Sequence, residues 1–315
     1  MAQKLASRLG LFFHGRFVFC ALLALCVVAA TGCVTGASKQ IGAFSQAAVT
    51  TADNTTEAFD LVEKVHYRCE VSNRIRAYNT NGFDNSPIQA YLTPTNLEVR
   101  LEVLNGLKLY AANLSSLLGN SALTNLDLAT THFGQALISV DTSLVKDAYF
   151  KKEPVSEADL RIFAAAVNAI GHWVIEHEQN KDAQKAIAEM QPHVTNLCRL
   201  FHKDFEILGK QVQNDLNDTI QYKDDTILKN WSYFAASPGG KRAEIEEMCG
   251  LVRERQDDLE LFDSMQSAVN TMQKAHEALG QVFSDDKANI NSLITQFSAE
   301  AKRISKYYSS LKTSK

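Results

Sequence analysis

The feature that most constrains this chain is a single apolar stripe. Val194, Leu197, Phe201, Phe205, Leu208, Val212, Leu216, Ile220, Ile227, Trp231 and Phe234 recur at helical spacing. From 194 to 220 the step averages about 3.7 residues, which a nearly straight bundle helix gives and a strict heptad coil does not. A second stripe follows: Ile245, Met248, Val252, Leu259, Phe262, Val269, Met272, Leu279 and Phe283. Between them stands Ser237-Pro238-Gly239-Gly240, a turn signal. Two helices of about 65 Å joined by a tight turn can bury their stripes only against each other and against further helices. The expectation is an all-α, elongated antiparallel helical bundle with a long C-terminal helical hairpin.

The rest of the chain agrees. It holds only 5 Pro and 15 Gly in 315 residues, where average usage would give roughly 16 and 22. No stretch shows convincing period-2 alternation. A first helix is expected over 41–79, closed by the turn cluster from Asn79 to Pro87. Thr95-Asn96-Leu97-Glu98 reads as a capping box opening a second helix to Leu118. A third is expected over 121–147, and a fourth from Ser156-Glu157-Ala158-Asp159. Whether the fourth breaks near Asn180 or runs to Met190 is open; Pro192 ends or kinks it. A last stripe runs from Ile290 to Leu311.

The N-terminus carries a different signal. Lys4, Arg8 and Arg16 precede an unbroken apolar run, Phe17 to Ala30, and then Ala30-Thr31-Gly32-Cys33. A basic segment, a short apolar segment and small residues describe a secretory signal peptide. With Cys directly after the small residues, it resembles a bacterial lipoprotein signal. Ala30 stands where that family most often has Leu. The resemblance covers residues 1–33 and implies cleavage between Gly32 and Cys33, with lipid on the Cys33 sulfur. An uncut membrane anchor is the alternative, though Thr31, Gly32, Thr35, Gly36 and Ser38 dilute the second half of its span. Position 34 is Val, not the Asp that retains many such lipoproteins at the inner membrane, so the resemblance favours the outer membrane's inner leaflet. The expected organisation is a signal peptide over 1–32, a lipidated tether over 33–40 and a helical bundle domain over 41–315.

Composition and motifs say less about activity. The net charge of −4 argues against a nucleic-acid binder. Phosphate-loop, dinucleotide and nucleophile-elbow patterns are absent. His172, Glu176 and His177 do not form a zinc-protease motif. Asp224-Asp225, Asp257-Asp258 and Asp285-Asp286 read as solvated faces or helix-start charges. No catalytic residue and no cofactor is expected.

One constellation has three readings. His66 and Cys69 share a helix face, as do Cys198 and His202. They are ordinary buried side chains, or Cys69 and Cys198 form a disulfide, or the four make a zinc site. The first is favoured and the metal reading least. The disulfide requires the end of the first helix to lie beside the start of the fifth segment. A Cys198–Cys249 bond is excluded if residues 193–283 form a straight hairpin.

From Leu109 to Val140, Asp127 is the one charged side chain. This stretch is either the central hairpin of the bundle or, as in helical pore-forming toxins, which the elongated bundle distantly resembles, a hairpin that enters a membrane. The functional expectation is a lipid-anchored, periplasmic-side envelope lipoprotein acting without catalysis as a helical adaptor, spacer or complex subunit. Its partners would be the membrane, through lipid, and an envelope protein. The alternative is a membrane-active bundle inserting the 109–140 hairpin.

Overall fold

The computed structural model describes residues 6–117, 135–151, 155–176, 183–236, 238–281 and 287–313, with side chains from Gly36 onward except for a few near helix ends. Among the described residues the regular structure is all helical. The helices are α1 (Ala6–Asn81), α2 (Pro94–Ser116), α3 (Thr142–Tyr149), α4 (Glu157–Glu176), α5 (Ala183–Lys229), α6 (Trp231–Ala236), α7 (Pro238–Leu279) and α8 (Lys287–Thr313).

The two expected stripes form a straight antiparallel hairpin of α5 and α7. Gln191 meets His276, Asn217 meets Arg255, and Lys223 meets Glu244 and Glu247. Gly209 sits between the first two contacts; a Cβ there would come within 3.1 Å of Phe262. The register therefore holds along the whole length.

Side-chain pairs give the other directions. α1 runs parallel to α5, since His66 meets Asp215 and Arg76 lies over Tyr222. It is antiparallel to α7, through Phe44 with His276 and Arg68 with Glu254. It is parallel to α8, through Gln40 with Asn291 and Asn54 with Ser305. α2 turns back along α1, pairing Lys108 with Asp53. One continuous apolar core joins all of these, with Phe44, Tyr110, Phe163, Phe205, Phe262 and Phe297 fully buried.

Several boundaries differ from the expectations. Residues 36–40 are not tether. They belong to α1, with Ala37 and Gln40 buried. Thr93, not Thr95, caps α2: its hydroxyl accepts the Asn96 amide, and Pro94 takes the first-turn position where a missing N–H is harmless. The third helix is not continuous to 147. The chain breaks at Val140, and Asp141 caps α3 by accepting the Leu144 amide. Asn168 donates to the Leu137, Ile138 and Val140 carbonyls exposed by that break. Pro192 lies inside α5 and does not end it. The hairpin turn begins at Lys229, and Pro238 opens α7 instead of standing in a loop. Ser156 caps α4 as expected, accepting the Asp159 amide.

Candidate functional site: the aromatic end of the bundle

The bundle is thickly wrapped at one end and thin at the other. The offset that pairs α1 with α8 puts Thr313 beside Val62. The Glu63 carboxylate accepts the Tyr91 and Leu92 amides just before α2 begins. Past Glu63, α1 therefore loses both α2 and α8 and keeps only α5 and α7. Three helices cannot enclose the apolar residues that five cover lower down.

Exposed large apolar side chains collect there. Tyr67, Ile75 and Tyr78 lie along one α1 face, Phe83 is 76% exposed in the following loop, and Leu228, Trp231 and Tyr233 at the hairpin turn and Ile245 and Val252 on the outer face of α7 are exposed at the same end. Gly82, at φ 72°, closes α1 by donating its N–H to the Tyr78 carbonyl, a left-handed cap that sets Phe83 outward. Tyr67, Ile75, Tyr78, Phe83 and Tyr222 line a cleft of about 460 Å³. Its charged lining is Arg74, Arg76, Asp225 and Lys229. Arg76 stacks 5.6 Å from the Tyr222 ring, and Lys241 lies 3.7 Å from the Trp231 ring. An exposed apolar patch with a basic rim suits contact with another molecule.

The residues singled out from the sequence do not converge. His66 bonds Asp215 at 3.2 Å, and Cys69 lies beside Thr219. Cys198 is a full core residue farther down α5, and His202 is half-buried one turn on. Because α5 is continuous, Thr219 and Cys198 lie roughly 30 Å apart, whereas a disulfide needs Cα atoms within about 7 Å. The Cys69–Cys198 bond is thus corrected. Its premise fails because α1 and α5 run parallel, so the end of α1 meets the end of α5, not its start. Both thiols are free, and Cys249 is free and exposed. The zinc reading of His66, Cys69, Cys198 and His202 fails on the same separation. No group of three or more potential metal ligands occurs among the described residues.

His172 is exposed on α4, and His177 and Asp285-Asp286 lie outside the described residues. So do the side chains of residues 30–33, including Cys33, and residues 118–134 of the uncharged stretch. The part of that stretch on α2 is core: Leu109, Tyr110, Ala111, Ala112 and Leu114 are buried. Among the described residues no helix is long and apolar enough to cross a membrane.

Two buried polar clusters and one buried acid escaped the sequence reading. Tyr110 Oη and His276 Nε2 are 2.5 Å apart, and His276 Nδ1 is 2.6 Å from Gln191 Oε1. The amide oxygen can only accept, so Nδ1 carries the proton and Tyr110 donates to Nε2. Arg100 pairs with Asp204, both buried. Asp258, expected on a solvated face, is fully buried. Spacing alone could have placed Asp258 on the core stripe, since Leu251, Leu261, Phe262 and Met265 flank it at helical intervals.

No family model matches the chain, and no curated protein and no solved structure matches it.

Proposed function

We propose that this chain is a lipoprotein of the bacterial cell envelope, anchored through lipid on Cys33, whose stiff helical body carries a docking end to an envelope protein. In this reading it acts as an adaptor or spacer, without catalysis, on the periplasmic side, with the outer membrane's inner leaflet as its anchorage. The observation that carries it is the gathering of exposed aromatic and aliphatic side chains at the end of α1 remote from Cys33. Gly36 and Tyr78 lie about 60 Å apart along that helix. In the cleft, Arg74, Arg76 and Lys229 outnumber Asp225, so the partner segment is acidic as well as apolar.

The test places a photo-cross-linking amino acid at Tyr78 or Phe83 in living cells. One discrete protein adduct is expected from both positions and none from Asn270, an exposed position on the α7 shaft. Cys33→Ser should leave the precursor uncut, abolish lipid labelling and remove the adduct. Normal processing of Cys33→Ser would end the lipoprotein reading. Adducts to lipid alone, or equal adducts from Asn270, would end the docking reading.

A further inference from the structure

Below the aromatic end, a groove of about 710 Å³ runs between α1 and α7 and reaches the end of α8. Its walls carry Glu57, Asp60, Lys64 and Arg68 from α1, and Glu247, Arg253, Glu254 and Asp257 from α7. Arg68 is committed to Glu254 through two hydrogen bonds of 2.9 and 3.0 Å. Two buried side chains also line the groove, Asp258 on α7 and Tyr308 on α8. Tyr307 donates to Asp258 Oδ1 at 2.5 Å. Asp258 Oδ2, the Tyr308 hydroxyl and Arg68 Nε, all buried, have no hydrogen-bond partner among the described residues. Native interiors rarely leave such atoms unmatched, and each calls for a water, an ion or a ligand.

We propose that this groove binds the protonated primary amine of an organic cation, with Asp258 Oδ2 and the Tyr308 oxygen as its acceptors. The charge is right, because Glu57, Asp60, Glu247, Glu254 and Asp257 outnumber Lys64, Arg68 and Arg253 on its walls. The donor geometry selects the class. A guanidinium is held best by both oxygens of one carboxylate, and Oδ1 is already taken by Tyr307. An ammonium directs three separate donors and can reach one oxygen on each of two helices. A metal ion would need a fuller ligand set than the described residues bring together. Burial, with Glu254 and Asp257 adding to it, raises the Asp258 pKa to about 7 against the opposing Tyr307 hydrogen bond. A bound cation would draw it back toward the ionised form.

The amine belongs either to a free linear diamine or to a lysine side chain of a partner. The site is independent of the lipid anchor and of the docking end. Calorimetric titration of the purified full chain with 1,5-diaminopentane, with a blocked lysine peptide and with its arginine counterpart tests it. Saturable binding of the diamine or the lysine peptide is expected, with the arginine peptide at least ten-fold weaker. Asp258→Asn, which keeps an acceptor for Tyr307, should weaken binding at least ten-fold, and Tyr308→Phe should weaken it measurably. Tighter binding by the diamine assigns a small-molecule ligand; tighter binding by the peptide assigns a partner's lysine. No saturable binding at millimolar amine, or arginine binding as tightly, overturns the proposal. So does undiminished binding by Asp258→Asn. If Asp258→Asn fails to fold, unchanged binding by Tyr308→Phe overturns it alone.

Discussion

Arg100 on α2 grips Asp204 on α5 through two hydrogen bonds, Nε to Oδ2 at 3.0 Å and Nη2 to Oδ1 at 2.7 Å, with both side chains sealed in the core. The Tyr149 ring covers the guanidinium at 4.6 Å. Removing one partner of such a pair strands a buried charge. Arg100→Met is therefore expected to cost about 3–5 kcal/mol. Arg100→Met with Asp204→Leu should recover most of that loss, because two apolar side chains leave nothing unpaired. Urea midpoints of the three proteins check this. A single substitution that costs under 1 kcal/mol would mean the pair is not sealed.

Asp258 sets a stability trend with pH. Its folded pKa of about 7 lies above the ordinary aspartate value of 3.8, so between those values the native chain holds a proton that the unfolded chain has released. Its contribution is complete below about pH 4 and is lost as pH rises through 7. Asp258→Asn, which cannot ionise, should exceed the wild type by a few kcal/mol at pH 8 and by little near pH 4. Thermal unfolding of both proteins across that range measures the crossover. An equal difference at the two ends would refute the buried, protonated state.

His276 works in the opposite direction. Burial pushes its pKa from 6.5 down to about 3, so on acidification the unfolded chain takes up a proton first. The stabilisation is present above about pH 6.5 and fades as pH falls toward 3. Between pH 7 and pH 4 the wild type should lose on the order of 3 kcal/mol more than His276→Gln. Denaturant unfolding at the two pH values decides it.

The thiols should separate by accessibility. Burial raises the Cys69 pKa to about 12, with Asp215, Asp218 and Glu70 adding to it, and burial raises that of Cys198 as well. Neither presents thiolate at neutral pH, whereas Cys249 is exposed. Timed alkylation with mass mapping should modify Cys249 in the folded protein and leave Cys69 and Cys198 until it unfolds. Fast modification of Cys198 would contradict its place in the core.

What was legible in the sequence was local. Apolar residues every three to four positions dictate helices because 3.6 residues make a turn, and that alone identified the α5–α7 hairpin and the last stripe. Capping signals were legible where one residue had no rival, as at Ser156. They misled where several polar residues stood together, as at Thr93 and Thr95, because either hydroxyl can reach a free amide and packing selects between them. Of the two readings open at Pro192, the helix end is the one removed: the ring costs one hydrogen bond, and the buried residues on both sides, Ile187, Met190, Val194 and Leu197, hold the helix together across it.

Which helix lies beside which was not legible. Cys69 and Cys198 carry the same local pattern whether α1 runs with α5 or against it, and only the packed bundle set them about 30 Å apart. The aromatic end has the same origin. Tyr78 has the spacing of a core residue and is exposed because α2 and α8 stop short of it, whereas Ile245 and Val252 lie on the outer face of α7, in line with the exposed Asp263 and Asn270. Asp258 is the converse, an acid drawn into the interior where α1, α7 and α8 meet. The helical periodicity is a property of each segment and is written in it. Burial is a property of neighbours, and the neighbours are chosen only when the whole chain packs.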